Sequence, residues 1–206
     1  MAQPRCITLL GIKHVGKTSI SRELARRYRR EGVFVSVVDT DRLIIEIART
    51  EVARTGGDVP QVDFSSAADQ PAIRRLYHTL GRSAFLELEA RAIRETADRP
   101  LPEGSDSKGT VLIVATGGGI VDNPEALNEV ERLRPLLYLW NDPAVLYSRI
   151  VKRGRPAFLT TADPEQEFLN IAEVRDRKYR RLADRVVDVS AVSVREAARI
   201  IHEQMR

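Results

Sequence analysis

Eight consecutive residues, 11–18, have the types and the spacing needed to hold a triphosphate. Their sequence, Gly-Ile-Lys-His-Val-Gly-Lys-Thr, fits the pattern G-x-x-x-x-G-K-[ST]. The glycines allow successive backbone N–H groups to point at one phosphate, while Lys17 can neutralise the β- and γ-phosphates and the Thr18 hydroxyl can ligate Mg²⁺. The pattern therefore predicts a P-loop that binds a nucleoside triphosphate. The residues assigned to the nucleotide here are Gly11, His14, Val15, Gly16, Lys17, Thr18 and Ser19.

Two acidic residues form a second candidate site. Asp39 and Asp41 follow the apolar run 33–38, and side chains two apart point to the same side if a strand continues through them. Beside a phosphate loop, one carboxylate could hold Mg²⁺ through water while the other accepts a proton from a substrate hydroxyl. The alternative is that Asp41 caps the helix that follows it.

Three other features have both a chemical and a structural interpretation. Glycines 117–119 follow the apolar run 110–115 and would permit either close approach to a ligand or only a tight turn. Arg155 lies in a basic segment between two predicted helices, where it could neutralise a transferring phosphate or belong to an ordinary basic turn. Arg175 lies on the apolar stripe of a predicted helix, which requires an anionic ligand or a structural salt bridge.

The local elements needed to position these residues can be predicted from periodicity. Before the phosphate loop comes the apolar run 6–10, and after it comes a helical pattern whose N-terminus would add its positive dipole end. Continuous apolar runs that alternate with helices predict a doubly wound sheet of five parallel strands, with ligands at the carboxyl ends of the strands. The predicted strands are 6–10, 33–38, 110–115, 135–140 and 185–189, and the predicted helices are 17–31, 41–54, 72–96, 124–132, 143–153, 165–182 and 194–205. Helix caps are predicted at Asn123, Asp142, Asp163 and Ser193.

Composition narrows the class of protein. The 206 residues are 43% apolar and 30% charged, which suits one α/β domain, and no run of eighteen apolar residues predicts a membrane span. The net charge is +4, but the basic residues are interspersed with 29 acids and aromatic content is 5%, so nucleic acid is not expected as a partner. One cysteine, Cys6, and a start that leaves no room for a signal peptide favour the cytoplasm.

The order of these motifs resembles that of the shikimate kinases, small P-loop kinases that phosphorylate a carboxylated polyol. The matching features are the phosphate loop, Asp39-Thr40-Asp41, the stretch 73–89, Gly117-Gly118-Gly119, Arg155-Pro156, Arg175 with Tyr179, and Val187-Asp188. The resemblance implies a single P-loop domain over 1–206, of the nucleoside-monophosphate-kinase type. Within it, a helical substrate-binding subdomain would cover about 41–97 and a lid about 154–165.

The resemblance also implies roles for individual residues. On the nucleotide side, Asp39 would bind Mg²⁺ through water, Arg149 would lie over the adenine and Arg155 would touch the transferring phosphate. On the acceptor side, Asp41 would hold hydroxyls and act as the base, Gly118 would offer its N–H, and Arg175 would pair with a carboxylate. Lys17, Asp41 and Arg155 are thus the expected catalytic residues. The residues assigned to the acceptor are Asp41, Tyr77, Arg82, Phe85, Gly117, Gly118, Gly119 and Arg175.

One departure from the family pattern affects the acceptor side. The family normally has an arginine directly after the phenylalanine of its substrate helix, where it grips the carboxylate, but here Leu86 follows Phe85. Loss of such a charge-assisted contact costs about 1.5–3 kcal/mol. Arg82 lies four residues earlier, on the same helical face. We hypothesise that Arg82 substitutes for the arginine; the alternative is a solvated Arg82 and an acceptor other than shikimate.

Smaller departures concern the phosphate loop and the helix that carries Arg175. His14 stands where the family usually has glycine, Arg177 replaces a proline, and Lys178 replaces a leucine. An insert at 55–71 lengthens the segment before Gly81.

Three functions are consistent with the sequence. The first is an ATP- and Mg²⁺-dependent kinase of a small anionic metabolite, with shikimate as the single best candidate. The second is a kinase of another hydroxy acid or polyol, and the third is a regulatory module that binds ATP without turnover. In the first two, ATP and a small-molecule acceptor are the expected partners of a cytoplasmic monomer.

Overall fold

Five parallel strands form one sheet in a computed structural model that describes residues 6–55, 69–101, 109–152, 159 and 161–206. The spatial order is β2-β3-β1-β4-β5, which confirms the predicted doubly wound parallel sheet. The strands are β1 (Cys6–Leu10), β2 (Phe34–Asp39), β3 (Thr110–Ala115), β4 (Leu136–Trp140) and β5 (Arg185–Asp188).

Seven helices flank this sheet within the described ranges, and their bounds follow the predicted ones closely. They are α1 (Lys17–Arg30), α2 (Thr40–Thr55), α3 (Asp69–Ala97), α4 (Pro124–Val130), α5 (Pro143–Val151), α6 (Pro164–Leu182) and α7 (Val194–Gln204). The predicted caps are confirmed: each of four side chains accepts a hydrogen bond from a backbone N–H of the first turn. These side chains are Asn123, Asp142, Asp163 and Ser193. None of the helices described is long and apolar enough to cross a membrane.

Two apolar clusters stabilise the structure. The larger one surrounds β1, β3 and β4, whose side chains Ile7, Leu9, Ile113 and Leu137 are fully buried. These strands are covered on both faces, which is why they appear in the sequence as continuous apolar runs. The smaller cluster lies between α2 and α3. It fixes the position of α3 relative to the end of β2.

The prediction of a continuous helix over 72–96 is wrong at Gly81, where the helix is interrupted. Gly81 has φ 77° and ψ 176°, so α3 consists of two helical segments that meet at this glycine. A positive φ is readily adopted only by glycine. Arg82 therefore begins the second segment. The insert at 55–71 lies largely outside the described residues, and α3 already begins at Asp69 within it.

Parallel pairing brings three chemically important segments to one edge of the sheet. Asp39 at the end of β2 pairs with Ala115 at the end of β3, and Ala115 in turn pairs with Leu9 of β1. Because the carboxyl ends of parallel strands lie at the same edge, the phosphate loop, the Asp39-Thr40-Asp41 segment and glycines 117–119 converge there.

Candidate active site

The phosphate loop (residues 11–18) has a backbone that depends on glycine at two points. Gly11 and Gly16 have φ values of 146° and 109°. A Cβ at Gly11 would also lie 2.7 Å from the carbonyl oxygen of Leu139 in β4. His14, at φ 66°, is the one non-glycine residue with positive φ in the described ranges. This explains physically why a glycine would be preferred at position 14.

Lys17 places its ammonium group inside the loop. The Nζ atom donates hydrogen bonds to the carbonyl oxygens of Gly11 (2.6 Å) and Ile12 (3.1 Å). Burial lowers the pKa of Lys17 to about 8, while the nearby carboxylates of Asp41 and Asp39 oppose that shift. A triphosphate in the loop would give this buried charge a partner.

Asp39 connects the phosphate loop to the start of α2. Its Oδ2 accepts a hydrogen bond from the Thr18 hydroxyl (2.6 Å), and its Oδ1 accepts one from the backbone N–H of Asp41 (3.2 Å). The cap of α2 is thus Asp39, and the expectation that Asp41 might be the cap is wrong. The strand also stops at Asp39, so the two carboxylates are not presented by a continuing strand.

The oxygen atoms of Thr18 and Asp39 fit a magnesium ion. Mg²⁺ prefers hard oxygen ligands, keeps several waters and takes further ligands from substrate phosphates. Across the part of the chain that the structure describes, no group of three or more His, Cys, Asp or Glu could hold a metal alone. A hydroxyl and a carboxylate 2.6 Å apart beside the loop match that incomplete protein ligand set.

Glycines 117–119, which we call the glycine turn, are in close contact with four other parts of the site. A Cβ at Gly117 would lie 2.8 Å from Oε1 of Glu89 and 3.1 Å from Oδ1 of Asp41. A Cβ at Gly118 would lie 2.7 Å from the backbone nitrogen of Lys13, and one at Gly119 would lie 3.2 Å from the guanidinium of Arg175. The turn is therefore a point of close approach and not only a change of chain direction.

Arg175 forms the salt bridge that was one of its two predicted interpretations. Its side chain is 15% exposed, and Nε donates to Oδ2 of Asp122 at 2.7 Å. Lys178 donates to the other carboxylate oxygen, also at 2.7 Å. Burial alone would raise the pKa of Asp122, but the hydrogen bond from Lys178 and the charge of Arg175 outweigh it and lower that pKa. With Nε engaged by Asp122, the Nη groups are left at the glycine turn, where Nη1 lies 3.4 Å from the Gly118 carbonyl oxygen.

Glu89 belongs to the site but was not assigned to it from the sequence. Its side chain is 4% exposed, and Oε2 accepts a hydrogen bond from Asn123 Nδ2 at 3.0 Å. Burial is the main reason that the pKa of Glu89 rises to about 7. The sequence did contain an indication of this. Glu89 lies four residues from both Phe85 and Ile93, so it falls on an apolar helical stripe, as Arg175 does.

A single cavity of about 710 Å³ brings most of the predicted residues together. Gly11 and Val15 support the loop but do not line the cavity, and Arg155 lies outside the described residues. The predicted residues in its wall are His14, Gly16, Lys17, Thr18, Ser19, Asp39, Asp41, Tyr77, Arg82, Phe85, Gly117, Gly118, Gly119, Arg149 and Arg175. Sequence reasoning did not assign the remaining wall residues, which are Lys13, Arg22, Ile73, Arg74, Leu86, Glu89, Thr116, Asp122 and Lys152.

The cavity wall is strongly cationic. Among the described residues, eight lysine or arginine side chains line it, against four carboxylic acids. Arg149 is at the phosphate-loop end, where Nη1 lies 3.3 Å from the carbonyl oxygen of His14. Arg74 and Arg82 reach the cavity wall from α3, and the charge of Arg74 helps to lower the pKa of Lys13 in the phosphate loop. Such an excess of positive charge suits a polyanionic ligand.

A P-loop after β1, carboxylates after β2 and a cationic cavity between them define a P-loop nucleotide-binding protein of the small-molecule kinase type. The family model for shikimate kinase matches residues 63–206. The chain is 31% identical over 188 residues to the shikimate kinase of Dechloromonas aromatica, covering 90% of this chain and 82% of that protein. It is 27% identical over 180 residues to that of a Psychrobacter species, covering 87% and 80%. The chain belongs to the shikimate kinase family.

Solved structures share the fold. A shikimate kinase from Acinetobacter baumannii, in complex with shikimate, superposes with a TM-score of 0.68 at 21% identity, covering 97% of this chain and 91% of that one. A second, from Bacteroides thetaiotaomicron, has a TM-score of 0.65 at 18% identity and covers 97% of both chains.

The left-handed backbone at His14 leads to a prediction about stability. The substitution His14→Gly should raise the free energy of unfolding by roughly 0.5–1 kcal/mol, because the strain of about 1–2 kcal/mol that it relieves at positive φ exceeds the cost of a more flexible unfolded chain. Chemical denaturation followed by circular dichroism measures it. The neighbouring Lys13→Gly change, where no positive φ is relieved, should lower stability by roughly 0.5–1 kcal/mol. Equal destabilisation by both changes would contradict the explanation.

The Asp122 ion pairs lead to a second prediction. Asp122→Ala should lower the free energy of unfolding by about 1–2 kcal/mol, because it leaves the largely buried guanidinium of Arg175 without its carboxylate. Lys178→Met removes the more exposed partner and should cost under about 1 kcal/mol. If the two variants unfold at the same denaturant concentration, Asp122 does not hold Arg175 in the way described.

Proposed function

We propose that this protein transfers the γ-phosphoryl group of ATP to a hydroxyl group of shikimate, with Mg²⁺ bound to the nucleotide. The observation that carries the proposal is the single cavity that contains both the phosphate loop and Asp41 beside the glycine turn. A donor phosphate and an acceptor alcohol could thus meet in one space. Family membership specifies shikimate as the alcohol.

On the donor side, the loop N–H groups and Lys17 would hold the β- and γ-phosphates. Thr18 would ligate Mg²⁺ directly and Asp39 through water, and the ion would supply charge neutralisation on the phosphate oxygens. Arg149 would lie over the adenine, and Arg155 of the lid, about 154–165, would neutralise the transferring phosphate. Arg22, also in the cavity wall, adds a positive charge on this side, and Ser19 adds a hydroxyl group.

On the acceptor side, Asp41 would act as the general base. As the shikimate hydroxyl oxygen forms its bond to the γ-phosphorus, its proton passes to the Asp41 carboxylate, and the bond from that phosphorus to the bridging oxygen breaks to release ADP. The Gly118 N–H would hold the acceptor, and Arg175 would pair with its carboxylate. We infer that α2 and α3, over about 41–97, form the acceptor-binding subdomain, since Tyr77 and Phe85 reach the cavity from there.

Arg82 is the residue that we assign to the acceptor carboxylate in place of Leu86. It lines the cavity together with Phe85 and Leu86. Among the residues described, Arg82 forms no ion pair or hydrogen bond, whereas Arg175 is paired with Asp122. A carboxylate entering the cavity would therefore gain a charge-assisted contact without competing for it.

We further propose that the protein is a cytoplasmic monomer whose partners are ATP and shikimate, with neither nucleic acid nor a membrane. With one cysteine, the given sequence has no pair for a disulfide within the chain, which favours a reducing compartment, and burial raises the pKa of the Cys6 thiol, so that it is unreactive.

The proposed function is tested by an acceptor panel in a coupled assay for ADP release. Wild-type protein should turn over shikimate, while Lys17→Met and Asp41→Asn should each lower kcat by at least about a hundredfold, because one removes phosphate neutralisation and the other the base. The unfolding temperature of each variant controls for folding. Turnover of a different hydroxy acid or polyol would favour the second function, and ATP binding by calorimetry without any turnover would favour the regulatory module.

The role of Arg82 is tested by moving its charge along the helix. Arg82→Ala should raise the KM for shikimate about tenfold, equivalent to about 1.4 kcal/mol, with the KM for ATP unchanged. Adding Leu86→Arg to that variant should restore at least part of the affinity. Arg94→Ala, which removes an exposed arginine of α3 that pairs with Glu129, is the matched control. An unchanged KM in Arg82→Ala would exclude a contact with the carboxylate.

A further inference from the structure

Glu89 is the most buried of the four carboxylic acids in the cavity wall. Its side chain, from the second segment of α3, is 4% exposed, whereas those of Asp39, Asp41 and Asp122 are only partly buried. Among the described residues no ion pair involves Glu89, and the adjacent wall position on its own helix is the neutral Leu86. A buried carboxyl without a direct cationic partner is stabilised in its neutral form.

Asn123 fixes the orientation of this carboxyl group. Its Nδ2 donates both to Oε2 of Glu89 (3.0 Å) and to the carbonyl oxygen of Leu86 (2.8 Å). Its Oδ1 accepts a hydrogen bond from the backbone N–H of Ala126 as the cap of α4, which determines the direction of the amide. Oε2 of Glu89 is thereby a fixed acceptor. Any proton on the carboxyl group must then be on Oε1.

Oε1 lies against the glycine turn, next to the second carboxylate of the acceptor side. A Cβ at Gly117 would be 2.8 Å from Oε1 of Glu89 and 3.1 Å from Oδ1 of Asp41, so these two oxygens are at most about 6 Å apart. No hydrogen bond to Oε1 exists within the described ranges. Two carboxyl oxygens therefore converge on the space where the acceptor would be held.

The two groups have different electrostatic surroundings. Asp41 is close enough to Lys17 and Lys13 to oppose the lowering of both lysine pKa values. For Glu89, burial raises the pKa to about 7; the charges of Asp41 and Asp122 add to that shift, and the Asn123 hydrogen bond and the charge of Arg175 oppose it. Paired carboxyls in unlike environments are suited to different roles, one ionised and one neutral.

We propose that Glu89 binds the acceptor as a protonated carboxylic acid, donating a hydrogen bond from Oε1 to an oxygen next to the hydroxyl that Asp41 holds. The inference rests on the proposed function and adds a positioning residue to it. Glu89 keeps its proton throughout, so proton transfer remains with Asp41. A neutral acid also avoids repelling an anionic acceptor, which a second carboxylate in the same wall would do. The ligand class is an anionic polyol with neighbouring oxygen substituents.

A pair of substitutions at Glu89 distinguishes the neutral acid from the carboxylate. Glu89→Gln retains a donor and an acceptor and should keep the KM for shikimate within about threefold of wild type at pH 6.5. Glu89→Ala should raise that KM about tenfold at saturating ATP. The KM for ATP should not change in either variant, and thermal unfolding confirms that each is folded. A Glu89→Gln variant as impaired as Glu89→Ala would overturn the proposal.

The pH dependence provides a readout that a structural role would not affect. For wild type at saturating ATP, kcat/KM for shikimate should fall as the pH rises through about 7 and above, because ionised Glu89 can no longer donate. This decline should be absent in Glu89→Gln. Glu129→Gln, the same chemical change at a glutamate of α4 that pairs with Arg94 and Arg132, should retain the wild-type profile. Identical profiles for wild type and Glu89→Gln would contradict the proposal.

A measurement on the free protein separates this inference from the proposed function. The side-chain carboxyl ¹³C resonance that disappears in Glu89→Gln should titrate near pH 7, whether or not shikimate is the acceptor. Titration below pH 5 would exclude a neutral Glu89 even if wild type phosphorylates shikimate. A lack of shikimate turnover with titration near pH 7 would instead overturn the proposed acceptor and leave the neutral Glu89 supported.

Discussion

The glycine turn at residues 117–119 lies where the phosphate loop, the start of α2, the buried Glu89 and the Arg175 guanidinium all meet. A side chain at Gly117 would collide with two carboxyl oxygens, and one at Gly118 would collide with the backbone of the phosphate loop. The absence of side chains lets these groups come within a few ångströms of one another. Since β3 lies between β1 and β2 in the sheet, the turn that follows it is the segment common to both halves of the site.

Cationic side chains lie on two sides of this turn, with carboxyl groups between them. At one end, Lys17 lies inside the phosphate loop and donates hydrogen bonds to two carbonyl oxygens. Burial lowers the pKa of its ammonium group, and a bound phosphate would raise it again. At the other end, Arg175 is already paired with Asp122, which leaves its Nη groups near Gly118. Between them lie two carboxyl groups in different surroundings: Asp41 is partly buried and near Lys17, whereas Glu89 is buried. The cavity therefore has cationic groups at both ends and two carboxyl groups between them.

Departures from the family pattern are concentrated around the same cavity. Leu86 removes a cation from α3, and Arg82 supplies one from the same face, at the start of the segment that follows the Gly81 break. Lys178 replaces an apolar residue and binds Asp122, so that Asp122 holds two cations instead of one. His14 keeps the backbone shape of a glycine in the phosphate loop although it is not one. The fold tolerates these changes because none of them alters the buried strands.

The sequence by itself determined the features that depend on residues close together in the chain. The phosphate loop, the strand and helix bounds and the four helix caps follow from spacing, apolar periodicity and side-chain bonds to nearby backbone. Only the tertiary structure decided that Arg175 pairs with Asp122 and that Glu89 is buried in the wall of the cavity. These depend on groups from separate helices and strands, and their burial and charge arise only when the parallel sheet brings the strand ends together.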